Sequence, residues 1–273
     1  QDGCDFGCSF CIVPAARGKP RNRPFQEIRD EITSLAAHGY KEVILTGANL
    51  GCYRFESKGI SDLLAMTENI PGISRIRLSS IEVSTAEREI IDYMAGSQKL
   101  CRSMHIPLQS GDNRILRLMG RRYSAEQYCD FIDYAVSRIP RLGLGTDILT
   151  GFPDETEDAF ENTLRLVARL PFSNLHVFSY SKRPGTKATT MPNQIDQKTK
   201  KRRTKALIEL GKKKKQIFAE QFIGRRVSVL IEDIKGHTGS GWTSEYLQAE
   251  APASSTNQIV SLIPSSFSDN ILS

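Results

Sequence analysis

The chain has 273 residues, 39% hydrophobic and 25% charged, with 37 Lys and Arg against 31 Asp and Glu for a formal net charge of +6. That length suits one large domain, or one large and one small, and the composition excludes a disordered chain, a collagen-like repeat and a disulfide-dense miniprotein. No apolar run approaches the roughly 18 residues of a membrane span, and Gln1-Asp2-Gly3-Cys4 offers neither an initiator Met nor a signal-peptide core, so the start reads as an internal point of a longer, cytoplasmic protein with no membrane partner.

Through residue 180, short β-branched runs alternate with amphipathic helical patterns. After Pro24, the residues Phe25, Ile28, Ile32 and Leu35 recur at helical spacing up to Gly39. A strand is expected at 42–46, a helix at 60–70, a strand at 75–80 and a helix at 85–94. A strand at 103–108, a helix at 124–139, a strand at 142–149, a helix at 155–170 and a strand at 174–180 follow. This alternation predicts an α/β fold, a parallel sheet with crossover helices, open or closed into a barrel. Pro184, Gly185 and Pro192 mark a linker, and a helix is expected over 194–221. From Phe222 the pattern turns to short alternating runs at 227–231, 241–248 and 258–263, the size of a small nucleic-acid-binding β-barrel. The domains are therefore expected at 1–190, 191–221 (a basic linker helix) and 222–273.

The charge is confined to one stripe. Residues 198–226 hold twelve cations against two carboxylates, a net +10, while 227–273 sum to −4 and 1–197 to zero. Lys200, Lys201, Arg202, Arg203, Lys212, Lys213, Lys214, Lys215, Arg225 and Arg226 are the candidate phosphate contacts, giving salt-dependent and sequence-blind affinity for nucleic acid. A solvated helix face is the plainer alternative.

Six cysteines, three within eight positions, make a poor disulfide framework and suit a metal or redox site in a reducing compartment. Gly3-Cys4-Asp5-Phe6-Gly7-Cys8-Ser9-Phe10-Cys11 spaces its thiols as C-x3-C-x2-C. Three soft thiolates can hold one face of an iron–sulfur cluster and leave an iron open for a substrate. Zinc, the competing reading, normally takes four protein ligands, and no fourth His or Cys lies nearby.

These cysteines, with Phe10 before the third, resemble the cluster motif of radical S-adenosylmethionine (SAM) enzymes. Ile12–Gly18, Arg21–Pro24, Arg77–Glu82, Ile106–Asp112, Met119–Tyr123, Thr146–Pro153 and Tyr180–Thr186 resemble, in order, the methylthiotransferase branch of that family. Residues 222–273, through Gly241–Tyr246, resemble its TRAM domain, a small RNA-binding β-barrel. Leu45–Tyr53 resembles the members that act on threonylcarbamoyladenosine in tRNA.

The resemblance implies a partial (βα)6 barrel, its first strand truncated, followed by the TRAM-like barrel. It implies a radical SAM enzyme that adds a methylthio group to C2 of N6-threonylcarbamoyladenosine at position 37 of tRNA. Isopentenyladenosine, a ribosomal-protein aspartate, or a non-catalytic cluster-bearing tRNA-binding module are the alternatives. Cys4, Cys8 and Cys11 are the catalytic and metal-ligating set, holding a [4Fe-4S] cluster whose open iron chelates SAM and, once reduced, cleaves it to a 5′-deoxyadenosyl radical. Phe10, Thr46, Gly47, Ser79, Glu82, Gln109, Ser110, Asp147, Gly151 and Phe152 are the implied cofactor pocket. Surface carboxylates at 82 and 147, and a loop-capping amide at 109, are the plainer readings. Arg17, Arg21 and Arg23 either meet phosphates or pair with nearby acids, and His105 and His176 read as satisfied core histidines.

The family's second [4Fe-4S] cluster belongs to an N-terminal domain whose cysteine spacing Cys52, Cys101 and Cys129 do not reproduce. A one-electron reductant and tRNA are the implied partners of a monomer. Val83 stands where many relatives have Pro, and Asp154 where Gly is common, with a tight turn at stake.

Overall fold

The computed structural model describes residues 1–273. A short helix α1 (Val13–Arg17) and α2 (Phe25–Ala37) lead into β1 (Glu42–Leu45). Then come α3 (Ile60–Glu68), β2 (Arg75–Leu78), α4 (Arg88–Gly96), β3 (Ser103–His105), α5 (Asn113–Leu118), α6 (Ala125–Arg138), β4 (Gly143–Thr150), α7 (Glu157–Arg169) and β5 (Asn174–Ser179). The helices begin where capping residues stand: Asp112 accepts from the N–H groups of Arg114 and Ile115, Ser124 forms a capping box with Gln127, and Thr156 caps α7.

β1 and β2 pair in parallel, as do β3, β4 and β5 in that order. A parallel bridge from Ile76 to Leu100 connects the two groups. One cavity of 380 Å³ is lined from all five strands, so they wrap a common concave face. On the other face the core packs Ile76, Leu78, Leu144 and Ile148 against Leu64, Ile91, Ile132 and Phe160 of the helices. The barrel is thus partial and unclosed. No helix is long and apolar enough to cross a membrane.

The helix α8 (Gln197–Glu220), capped by Asp196, lies along β5. Gly211 lets it pack closely there, since a Cβ would lie 3.2 Å from Leu175 of β5, tighter than an ordinary contact. Beyond it are β6 (Val227–Lys235), β7 (Thr238–Thr243), β8 (Gln248–Pro252), β9 (Ile259–Leu262), β10 (Phe267–Ser268) and β11 (Ile271–Leu272). They form one six-stranded sheet in the order β10-β11-β8-β7-β6-β9 over its own core of Phe218, Phe222, Val229 and Ile231.

Several expectations need correction. The small β unit is an open sheet, not a closed barrel. Between its edge strands β9 and β10, Pro264 has no N–H to give, and the N–H groups of Ser265 and Ser266 go to the Ser273 carbonyl. The run expected at 241–248 is two strands, folded by a turn at Ser244–Leu247 in which Tyr246 takes φ 65°. The strand expected at 103–108 ends at His105. Asp154 meets its turn by taking φ 66°, a left-handed geometry Asp tolerates, with its carboxylate accepting from Asn193 Nδ2 at 2.7 Å.

Candidate active site

Residues 2–21 form a loop closed on itself. Asp2 and Arg21 exchange main-chain hydrogen bonds at 2.9 and 2.7 Å, and the Cys4 N–H donates to the Gly18 carbonyl at 3.1 Å. Gly3, at φ 74°, passes so near Lys19 that a Cβ would lie 2.2 Å from the Lys19 carbonyl oxygen. Ser9 latches the loop to the end of α5, its N–H donating to Met119 O at 2.9 Å and its hydroxyl to Leu118 O at 2.7 Å. From the other side the Ala188 N–H donates to Ser9 O at 2.8 Å.

This loop carries Cys4, Cys8 and Cys11, all free and half-buried, into one cavity of 580 Å³ at the ends of β1 and β2. That is where parallel α/β sheets place ligands. Phe10, Thr46, Gly47, Glu82 and Gln109 line the same cavity. So does Arg121, which the sequence reading did not single out. Its Nη2 lies 3.2 Å from Glu82 Oε2, its Nη1 donates to Cys8 Sγ at 3.4 Å, and its Nε donates to the Tyr123 hydroxyl at 3.2 Å. Burial pushes the Cys4 and Cys8 thiols above the ordinary range, and the Arg121 cation draws Cys8 back toward the thiolate. Asn49, also missed, stands on the wall with Nδ2 buried and unpartnered. The only signals were the motif stretches that contain these two residues.

The other expected pocket residues lie elsewhere. Ser110 is buried against Thr163 and does not line the cysteine cavity. The Gly151 N–H donates to the Glu155 carboxylate at 2.7 Å, and Phe152 is buried with its ring 6.3 Å from that of Phe10, edge to face. Ser79 and Asp147 face the second cavity, among the inward side chains of the strands. His105 and His176 are not enclosed core residues: both point at Asp147, and His176 is 48% exposed. Arg17 and Arg21 pair with Asp2, and Arg23 pairs with Glu27 and Glu31, so these arginines are engaged with acids.

The basic stripe divides in two. Lys200 and Arg203, expected at the surface, are 5% and 3% exposed. Lys200 Nζ donates to Tyr180 O at 2.9 Å, and Arg203 bonds Glu155 and Glu157 at 2.7 and 3.0 Å. They belong to the helix face that meets β5, together with Leu207 and Gly211. Arg202 is exposed but tied to Glu157, and Lys214 reaches Ala168 O. Lys201, Lys212, Lys213, Arg225 and Arg226 face solvent, and Lys215 is half-buried.

The donor set also tests what the cysteines can hold. Only His105, Asp147 and His176 bring three ligand atoms within 4.8 Å of one another. The three sulfurs are therefore spread more widely than ligands of one tetrahedral ion, about 3.8 Å apart for thiolates at a Zn–S distance of about 2.3 Å. Soft thiolates spread in this way fit the corners of a multi-iron cluster.

The profile of the Radical SAM superfamily matches residues 1–167. The chain belongs to the radical SAM superfamily, whose members bind a [4Fe-4S] cluster and SAM. Solved structures agree on the fold. The coproporphyrinogen III oxidase HemN of Escherichia coli aligns over 78% of this chain and 51% of its own with a TM-score of 0.59 at 17% identity. Methylornithine synthase PylB aligns over 78% of this chain and 60% of its own with a TM-score of 0.55 at 16% identity.

Among curated relatives, the threonylcarbamoyladenosine tRNA methylthiotransferase MtaB of Aquifex aeolicus is 39% identical over 85% of this chain and 57% of its own length. The tRNA-2-methylthio-N(6)-dimethylallyladenosine synthase of Pelotomaculum thermopropionicum is 40% identical over 88% of this chain and 54% of its own. The chain spans little more than half the length of these relatives.

Proposed function

We propose that the chain is the radical-forming and RNA-binding part of a tRNA methylthiotransferase that modifies C2 of N6-threonylcarbamoyladenosine at position 37. The observation that carries this reading is the meeting, in one cavity, of Cys4, Cys8 and Cys11 with the Thr46–Asn49 loop. That loop belongs to the stretch resembling threonylcarbamoyladenosine enzymes. Identity does not separate this target from dimethylallyladenosine, since relatives named for each stand at 39% and 40%, so the dimethylallyl substrate is the second reading.

Cys4, Cys8 and Cys11 hold the cluster, which when bound supplies one-electron cleavage of SAM. Arg121 pairs with Glu82 and favours the thiolate of Cys8, while Phe10, Thr46, Gly47 and Gln109 frame the cofactor. The reading divides the chain into a radical SAM unit at 1–190, a basic helix at 191–221 and an RNA-binding β unit at 222–273. Lys201, Lys212, Lys213, Arg225 and Arg226 contact tRNA phosphates. It also calls for a second [4Fe-4S] cluster held by a further domain, a cellular one-electron reductant and a monomeric enzyme in the cytoplasm.

After anaerobic reconstitution, about four irons per chain and 5′-deoxyadenosine on addition of SAM and dithionite are expected, both lost in Cys8→Ala. A reconstituted chain that binds iron but never cleaves SAM would overturn the radical assignment. Nucleoside mass spectrometry of tRNA from a host lacking the parent gene decides the substrate, because only the matching 2-methylthio nucleoside disappears.

A further inference from the structure

The concave face of the parallel sheet carries a second constellation, apart from the cysteines. His105 ends β3, Asp147 lies in β4 and His176 in β5; Gly145 is in register with both His105 and Asn174, and Asp147 with His176. His105 Nε2 is 3.0 Å from Asp147 Oδ1, and His176 Nδ1 is 3.4 Å from the same oxygen. Ligand atoms about 2.0–2.2 Å from one ion stand roughly 3–3.5 Å from each other, so these separations already match a shared coordination shell. Two imidazoles and a carboxylate are a donor set for borderline first-row divalent cations.

Two further observations point the same way, and a third sets a condition. The space is cleared on purpose by sequence: a Cβ at Gly145 would lie 2.7 Å from His105 Nδ1, so only glycine admits that ring. The Asn174 side-chain amide lies 2.9 Å from His176 Nε2. The amide faces Nε2 with its nitrogen, so for the Nδ1 lone pair to reach a metal the amide must turn over and its oxygen accept from Nε2–H, the outer support expected of a metal-ligating histidine. Asp147, 23% exposed, has no Lys or Arg partner; its ion-pair neighbours are the two imidazoles alone. The half-buried carboxylate therefore lacks a fixed cation to balance it.

We propose that His105, Asp147 and His176 bind one divalent first-row cation. Three protein ligands leave a coordination position open to the 380 Å³ cavity, where water or an oxygen-bearing group of a substrate binds. Ser80 borders both this cavity and the one that holds the cysteines. This site does not depend on which nucleoside is modified, nor on the cluster being loaded.

The test is a Co²⁺ titration of the chelator-stripped chain under anaerobic conditions, followed by absorption. Cobalt on the cysteines gives an intense thiolate charge-transfer band, whereas cobalt on nitrogen and oxygen gives only weak visible bands. One equivalent of the second kind is expected. His176→Gln should weaken it about 100-fold, with an unchanged unfolding midpoint of the metal-free chain as the control of folding. Cys4→Ser should leave the weak bands in place. Absence of the weak visible component, or a component equally tight in His176→Gln, would overturn the proposal and leave the trio as a hydrogen-bonded network.

Discussion

Arg121 concentrates the electrostatics of the cysteine cavity in one side chain. It is buried, and its partners Glu82 and Cys8 would each be stranded without it. Removing one partner of a buried ion pair costs about 3–5 kcal/mol, so Arg121→Met should lower unfolding stability by that order in denaturant titration. The same change should raise the pH at which Cys8 is alkylated in the metal-free chain. The sign follows from the causes: burial holds the thiol up and the cation opposes it, so losing the cation moves Cys8 further up. Iodoacetamide rates against pH, with Cys8 followed by peptide mass, measure this; a profile unchanged in the variant would refute it. The three cysteines were legible because their chemistry is local, written within eight positions. Arg121 was not, because its contact with Cys8 spans 113 residues and no periodicity in its own segment announces it.

The helix α8 shows how a charge count and a structure can diverge. The net charge of 198–226 was plain, yet Lys200 and Arg203 share a stripe with Leu207 and Gly211 at helical spacing, which is the face turned to β5. Reading the spacing together with the charge would have withdrawn both from the RNA list. Two substitutions separate the roles. Lys212→Gln with Lys213→Gln should leave stability within about 0.5 kcal/mol and reduce the slope of log affinity for tRNA against log salt by about one unit per lost phosphate contact. Arg203→Met should instead cost about 3–5 kcal/mol, since it leaves Glu155 buried alone, with the salt slope unchanged.

At the base of α7, the hydrogen bonds from Arg202 and Arg203 hold the Glu157 carboxyl down at about 2. A carboxylate depressed by folding contributes stability above its unfolded range near 4.5, lost as pH falls toward 2. Acid titration should therefore weaken the wild type over that window, and Glu157→Gln should flatten the response. The strand boundaries of the β unit were harder to read. The Ser244–Leu247 turn has no Gly, Pro or Asn and is fixed from outside, by the Arg102 N–H donating to Ser244 Oγ at 2.8 Å.

At the scale of the whole molecule, that same turn ties the two sheets together. Arg77 donates to Glu42, to Ser103 Oγ at 2.7 Å and to Thr243 O at 3.1 Å, and lies 5.0 Å from the Tyr246 ring. Arg75 donates to Trp242 O at 3.0 Å. Gly143 makes room for the turn, since a Cβ there would fall 1.9 Å from Glu245 O. Gly143→Val should undock the β unit, turning a single calorimetric transition into two and raising the radius of gyration in solution scattering. One unchanged transition would mean that the contact along α8 suffices. The alternation of strands and helices made the first unit readable from sequence, because each element buries its own periodic face. The docking of the second unit was not readable, because it rests on a glycine whose purpose is visible only from the other sheet.

The latch on the cysteine loop sets an order in time. The thiols at 4, 8 and 11 leave the ribosome ahead of Leu118, Met119, Arg121 and Ala188, which grip and neutralise that loop and are made more than a hundred residues later. At about 5–20 residues per second, the nascent chain carries these sulfurs unsheltered for several seconds. Until that latch closes the three sulfurs have no shelter, so oxidative stress during synthesis should damage this loop more than the same stress applied to the folded chain.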